Sequence, residues 1–260
     1  MKTLQPELFS AECIRKAEKP VLTKDDIPYD ASLIFNAGVA KYKGRYIMVF
    51  RNDYGPTEET YPDVRFRTSL GLATSNDGIN WTVSEKTIFD NKNLLPEDEL
   101  QRLYDPRITV IDEKPYLCMA MDTKHGVRGC IAEIDDNFEN INIISASAPD
   151  NRNMVLFPEK INGKYVRLER PFPVYSRGGR DRFDLWLSTS PDLIFWGETE
   201  LVLAVEDVST ENQLGSNRCA LFGWIAHFSC NQVHVAFRYF LSNVSRMSLS
   251  VFGYSTHSLF

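Results

Sequence analysis

No stretch of this 260-residue chain is apolar for long enough to span a membrane, and its first residues lack the continuous apolar centre of a secretory leader. A basic excess is missing too. With 29 Lys and Arg against 35 Asp and Glu the net charge is -6, which argues against a general nucleic-acid binder, since neutralising phosphates needs a basic surface. A small anionic substrate stays open, because a few local arginines suffice for it. Histidine is scarce, and the five cysteines, at 13, 118, 130, 219 and 230, show no CxxC or Cys/His spacing for zinc. Reduced, mostly buried thiols in a cytoplasmic protein fit that spacing. Dinucleotide, Walker and Gly-x-Ser-x-Gly motifs are all absent, so nucleotide and serine-hydrolase readings have no support.

What is present is β-structure. Apolar residues make up 43% of the chain and aromatics 12%, ample for a packed core. A short helix is expected over residues 6–19, followed by an extended segment with Pro20 and Pro28. Strands are then expected at 32–39, 46–50 and 69–74; at 107–111, 116–121 and 127–133; and at 156–160, 165–169 and 183–188. Turn residues separate them: residues 41–45, 112–115, and Asn162-Gly163. Ser75-Asn76-Asp77 leading to Trp81 is echoed by Ser190-Pro191-Asp192 leading to Trp196. Three units of about 50 to 60 residues suggest a repeat, and radially packed small sheets bury both faces of each. A β-sandwich is the competing architecture.

The last part of the chain changes character. Glu211 is the final carboxylate, no Lys follows it, and three of the four histidines lie beyond it. The expected organisation is an extension over 1–30, blades over 31–208 and an atypical tail over 209–260, where a shifted reading frame or a divergent terminus would explain the break.

Chemistry-bearing residues cluster before that break. Asp105, between Tyr104 and Pro106-Arg107, is either a turn aspartate paired with Arg107 or a partly desolvated general acid near the propeller axis. Asn36 and the run Arg51-Asn52-Asp53-Tyr54-Gly55 are either a polar hairpin turn or a sugar-recognition surface. Arg65, Arg67, Arg152, Arg167, Arg170, Arg177 and Arg180 are either solvated or suited to phosphate oxygens. His125 has no metal-ligand partner at useful spacing.

Together, several segments resemble glycoside hydrolase family 130, the inverting β-mannoside phosphorylases. They are Phe35-Asn36-Ala37-Gly38, Phe50-Arg51-Asn52-Asp53-Tyr54-Gly55, residues 70–78, Tyr104-Asp105-Pro106-Arg107, residues 155–160 and Arg167-Leu168-Glu169-Arg170-Pro171. The Arg-Asn-Asp-Tyr-Gly form is similar to members acting on 4-O-β-mannosyl-glucose. The resemblance implies an all-β, five-bladed propeller, with about three blades recognisable here. It implies phosphorolysis of a β-1,4-mannosyl-glucose to α-D-mannose 1-phosphate and D-glucose, with no cofactor beyond inorganic phosphate as co-substrate. Asp105 would be the catalytic acid, acting through the 3-hydroxyl of the mannosyl unit while phosphate attacks the opposite face. Asn36, Arg51, Asp53 and Tyr104 would lie on or near the sugar, and Arg67, Arg152, Arg170 and Lys160 near phosphate. The family's later Phe-His pair finds no match; His227 stands in the wrong order. An inactive, sugar-binding propeller, a β-mannoside hydrolase and a mannooligosaccharide phosphorylase are the alternatives. The expected partners are a small β-mannoside and phosphate, without nucleic acid or membrane, and the N-terminal helix allows a homo-oligomer.

Overall fold

The computed structural model describes residues 19–56, 66–172 and 184–203. The helix expected over 6–19 lies, apart from its last residue, outside them. So do Cys13, Cys219, Cys230, Arg65, Arg177, Arg180, His227 and the whole 209–260 tail.

Each of the three sequence units folds as one antiparallel meander. The first contains β1 (Leu33–Tyr42), β2 (Arg45–Pro56), β3 (Phe66–Ser75) and β4 (Thr82–Val83), with β5 (Phe89–Asp90) also pairing with β3. The second runs β6 (Leu100–Ile111), β7 (Lys114–Thr123), β8 (Gly126–Ile134) and β9 (Ile141–Ala146). The third runs β10 (Asn151–Leu156), β11 (Tyr165–Pro171), β12 (Leu185–Ser190) and β13 (Gly197–Leu203). Sequential pairing within small sheets, stacked face to face, is the blade plan of a β-propeller. Between the first two blades the stacked faces bury Ile47, Val49, Leu70, Ile108, Leu117 and Phe138. Between the second and third they bury Ile111, Tyr116, Cys118, Ile131, Met154 and Leu156. Cys118 and Cys130 are buried free thiols, and burial pushes them up to about 11 and about 12.

Turn chemistry explains the blade edges. The hairpin between β1 and β2 closes on Lys43 and Gly44, that between β6 and β7 on Asp112 and Glu113, and Ile161 pairs with Lys164 across Asn162 and Gly163. All six turn residues have positive φ, as a two-residue turn matched to strand twist requires. The two Ser-x-Asp turns are also alike. Asp77 Oδ1 accepts from the backbone N–H of Ile79 and Asn80, at 2.8 and 2.7 Å, and Trp81 Nε1 donates to Gly78 O. Asp192 Oδ1 accepts from Ile194 and Phe195, both at 2.9 Å, and Trp196 Nε1 donates to Leu193 O. Those backbone donors hold both carboxyls below their usual range.

The inner strands depart from expectation. β6 begins at Leu100, well before residue 107, and β10 at Asn151 replaces the strand expected over 156–160. β2 continues through Pro56, so the Arg51–Gly55 run is strand, not turn. Polar residues occupy these stretches and erase the apolar alternation that marks a half-buried strand. In each inner strand the register slips by one residue at the same place, between Phe35 and Gly38, Tyr104 and Arg107, and Arg152 and Val155. The residue that follows Phe35, Tyr104 and Arg152 has a left-handed backbone: Asn36 (φ 49), Asp105 (φ 53) and Asn153 (φ 62). Asn and Asp are the non-glycine residues that tolerate this region best.

Gly38 lies where the first two bulges press together. A Cβ there would sit 2.7 Å from Ile108 N, 2.8 Å from Pro106 O and 2.9 Å from Arg107 Cα, all backbone. Gly38→Ala should therefore lower stability by about 1–3 kcal/mol, the usual range for overpacking, read as a shift in the urea midpoint.

Candidate active site

Asp105 projects from the β6 bulge towards the first blade. Its Oδ1 accepts from Asn36 Nδ2 at 2.8 Å and from Arg51 Nη1 at 3.2 Å. No described residue donates a hydrogen bond to Oδ2, and the side chain is 17% exposed, so among the described residues one carboxyl oxygen is left for a proton or a ligand. Arg107 turns away from it, donating to Asn153 Oδ1 at 3.2 Å and to the Met154 carbonyl at 3.3 Å. Asp105 is thus a strand-bulge residue held by the neighbouring blade, not a turn residue paired with Arg107.

Behind Arg51 stands Asp53, 4% exposed. Arg51 grips it as a fork, Nε to Oδ1 at 3.0 Å and Nη2 to Oδ2 at 2.7 Å. Thr68 Oγ1 also donates to Asp53 Oδ1, at 2.7 Å. Burial alone would depress the Arg51 guanidinium, but Asp53 and Asp105 outweigh it and raise its pKa. Arg102 completes the layer: Nε donates to Thr68 Oγ1 at 2.8 Å, while Nη2 and Nη1 lie 3.7 Å from Asp53 Oδ2 and Asp122 Oδ2. Tyr104 is in contact with both arginines, whose Cζ atoms lie 5.1 and 4.6 Å from its ring centroid. Its hydroxyl donates to Asp122 Oδ1 at 2.9 Å and accepts from Arg152 Nη1 at 3.4 Å.

The third blade supplies cations. Arg152 and Arg170 are directly paired across β10 and β11, and both guanidiniums lie near the Phe172 ring, at 4.9 and 5.4 Å. Arg107 is depressed by burial, partly offset by Asp105, and feels Arg152 and Arg170 as like charges. A carboxylic acid and an arginine-rich patch therefore flank the same inner-strand bulges. Among the described residues no group of three His, Cys, Asp or Glu is arranged for a metal, and no helix is long and apolar enough to cross a membrane.

The sequence profile of glycoside hydrolase family 130, described as β-1,4-mannooligosaccharide phosphorylase, matches residues 12–215. The chain belongs to that family. A β-1,4-mannooligosaccharide phosphorylase of Ruminococcus albus is 31% identical over 229 residues, covering 82% of this chain and 64% of the relative. A 1,2-β-oligomannan phosphorylase of Thermoanaerobacter is 32% identical over 199 residues, covering 73% and 60%. The chain spans less than two thirds of the length of these two curated relatives. Among solved structures, the β-1,2-mannobiose phosphorylase of Listeria innocua in complex with β-1,2-mannobiose superposes with a TM-score of 0.54 at 25% identity, over 67% of this chain and 60% of that one. A glycosyl hydrolase from Bacteroides ovatus, 18% identical with a TM-score of 0.51, shares the fold over 67% of this chain and 53% of its own.

In this family 130 chain the structure brings Asn36, Arg51, Asp53, Tyr104, Asp105 and Arg152 into one connected network, with Arg170 paired to Arg152. Among the described residues Arg67 makes no direct contact with that network: it lies on β3 opposite Tyr54, where its charge bears on the Tyr54 hydroxyl that donates to Asp90. Lys160 is a correction. Its Nζ pairs with Asp112 at 2.8 Å in the β6–β7 turn, about 20 Å along the strand from Asp105, so it is too far away to join Arg152 and Arg170. Tyr104 and Asp53 are both buried and both contact Arg51, Tyr104 through its ring and Asp53 through its carboxylate. Sequence reading passed over Arg102, Asp122 and Asn153. Asn153 alone carried a signal, as the third Asn or Asp at the bulge position.

Replacing Asp53 by Ala should strand two arginines without their shared carboxylate. Breaking such a buried pair costs about 3–5 kcal/mol, to be checked by chemical denaturation at pH 7.

Proposed function

We propose that the chain carries the acid and part of the anion site of an inverting β-mannoside phosphorylase, and that its substrate is a β-1,4-mannosyl-glucose. The observation behind this is the Asp105 carboxylate, with Oδ1 occupied by Asn36 and Arg51 and no described donor on Oδ2, on the inner-strand bulge next to the blade that carries the paired Arg152 and Arg170. An inverting hydrolase needs a second carboxylate to activate water, with the pair about 6.5–9.5 Å apart. Phosphate is already an anion and needs only to be positioned.

In the proposed reaction a phosphate oxygen attacks the anomeric carbon of the mannosyl unit from the α face. The bond from that carbon to O4 of glucose breaks, and its electron pair stays on the glucose oxygen. A proton from Asp105 Oδ2, relayed through the 3-hydroxyl of the mannosyl unit, neutralises that oxygen. The products are α-D-mannose 1-phosphate and D-glucose. The acidic proton belongs on Oδ2 because Oδ1 already accepts two donor hydrogens. Asn36 and Arg51 thus select the reactive oxygen.

The naming of relatives for β-1,4- and β-1,2-linked mannosides supports a mannoside substrate of this class, and the Arg51–Gly55 run supports the glucose acceptor. Incubated with 4-O-β-mannosyl-glucose, β-1,4-mannobiose and β-1,2-mannobiose, the protein should release glucose from the first, together with mannose 1-phosphate, only when phosphate is present. Asp105→Asn, which keeps the left-handed backbone, should lower that rate at least about 10²–10⁴-fold. Equal glucose release without phosphate would make it a hydrolase, and preference for either mannobiose would move the acceptor assignment. Mannoside binding without turnover would remove the catalytic half of the reading.

A further inference from the structure

We propose that Asp122 is a positioning residue of this site: it fixes the direction of the Tyr104 hydroxyl and, through it, the guanidinium of Arg152. The proposal rests on Arg152 being a phosphate contact. Tyr104 Oη has one proton to give and lone pairs to receive. The proton goes to Asp122 Oδ1 at 2.9 Å, which leaves a lone pair for Arg152 Nη1 at 3.4 Å. Burial raises the Tyr104 phenol to about 12, so it keeps its proton near neutrality and serves as a fixed donor. Without the Asp122 acceptor the hydroxyl proton would be free to rotate towards Arg152 and oppose it.

Asp122 is itself anchored. Arg102 Nη1 lies 3.7 Å from its Oδ2, and the same guanidinium sits by the Tyr104 ring and donates to Thr68. The arrangement therefore runs from the layer that holds Arg51 to the arginine of the third blade. Arg152 depends on it: among the described residues its Nε is buried without an acceptor, and its other contact is the face of Phe172. No described carboxylate pairs with Arg152, so the tyrosine hydroxyl is its only polar tether among those residues.

Charge and position make opposite predictions. If Asp122 acted only as a nearby negative charge, Asp122→Ala would tighten phosphate binding. A positioning role requires weaker binding instead, because alanine removes the acceptor of the Tyr104 hydroxyl. Calorimetric titration of inorganic phosphate into the unaltered chain, Asp122→Ala, Tyr104→Phe and the double variant tests this, with melting temperatures to identify any variant that fails to fold. Asp122→Ala and Tyr104→Phe should each weaken phosphate by about tenfold, one hydrogen bond's worth, and the double variant little more than either. Tyr104→Phe keeps the stacked ring and carries the test if Asp122→Ala unfolds. Phosphate binding that is unchanged or tightened in a folded Asp122→Ala overturns the positioning role alone. No binding by the unaltered chain overturns both this proposal and the phosphate reading beneath it.

Discussion

A strand that carries one residue more than its partner must bend, and the extra residue must leave the ladder. In this chain the three inner strands all do so at the same step, and the residue that absorbs the bend takes a left-handed backbone each time. That constraint favours short polar side chains, because Asn and Asp tolerate the conformation better than bulkier residues. It also aims them. Asn36 reaches the next blade's Asp105, and the second blade's Arg107 reaches the third blade's Asn153. The candidate site is thus a consequence of one backbone device repeated in a propeller. Gly38 follows from it, since the two bulges approach so closely that no Cβ fits between them.

On that frame, cations and carboxylates are layered so that no carboxylate of the network is buried alone. Asp53 lies deepest and is shared by Arg51, Arg102 and Thr68. Such burial is costly unless the charge is paired and hydrogen-bonded, and here three hydrogen bonds and a second guanidinium surround the carboxylate. The gain is geometric: with Nε and Nη2 locked on Asp53, Arg51 has only Nη1 to offer Asp105, and from a fixed direction.

Much of this was legible in the sequence, and the remainder was hidden for definable reasons. Hairpin turns announced themselves through Lys43-Gly44 and Asn162-Gly163, and the Ser75 and Ser190 turns through their spacing to Trp81 and Trp196. The first inner strand was expected close to where it lies, but the starts of the second and third were not, because polar residues over 100–106 and 151–153 break the alternation. Asp105 was legible as a residue but not as a bulge. Arg102 and Asp122 gave no signal, since their roles arise only from contacts across β3, β6 and β7. Lys160 misled because a lysine beside an arginine-rich segment says nothing about which end of a blade it occupies.

The distribution of charge bears on the proposed chemistry. An acid that must keep its proton and an anion that must be drawn in place conflicting demands on one set of cations. Arg51 and Arg102 are committed to Asp53, Asp105 and Asp122, so little of their charge is left for a ligand. Arg152 is tethered by a neutral phenol and an aromatic face, and its positive charge is not cancelled by any described carboxylate. At the site the first two blades therefore match Arg51 and Arg102 with carboxylates, whereas the third offers Arg152, which no described carboxylate matches. A sugar bound between them would meet its proton donor on one side and its nucleophile on the other, which is the arrangement that inversion requires.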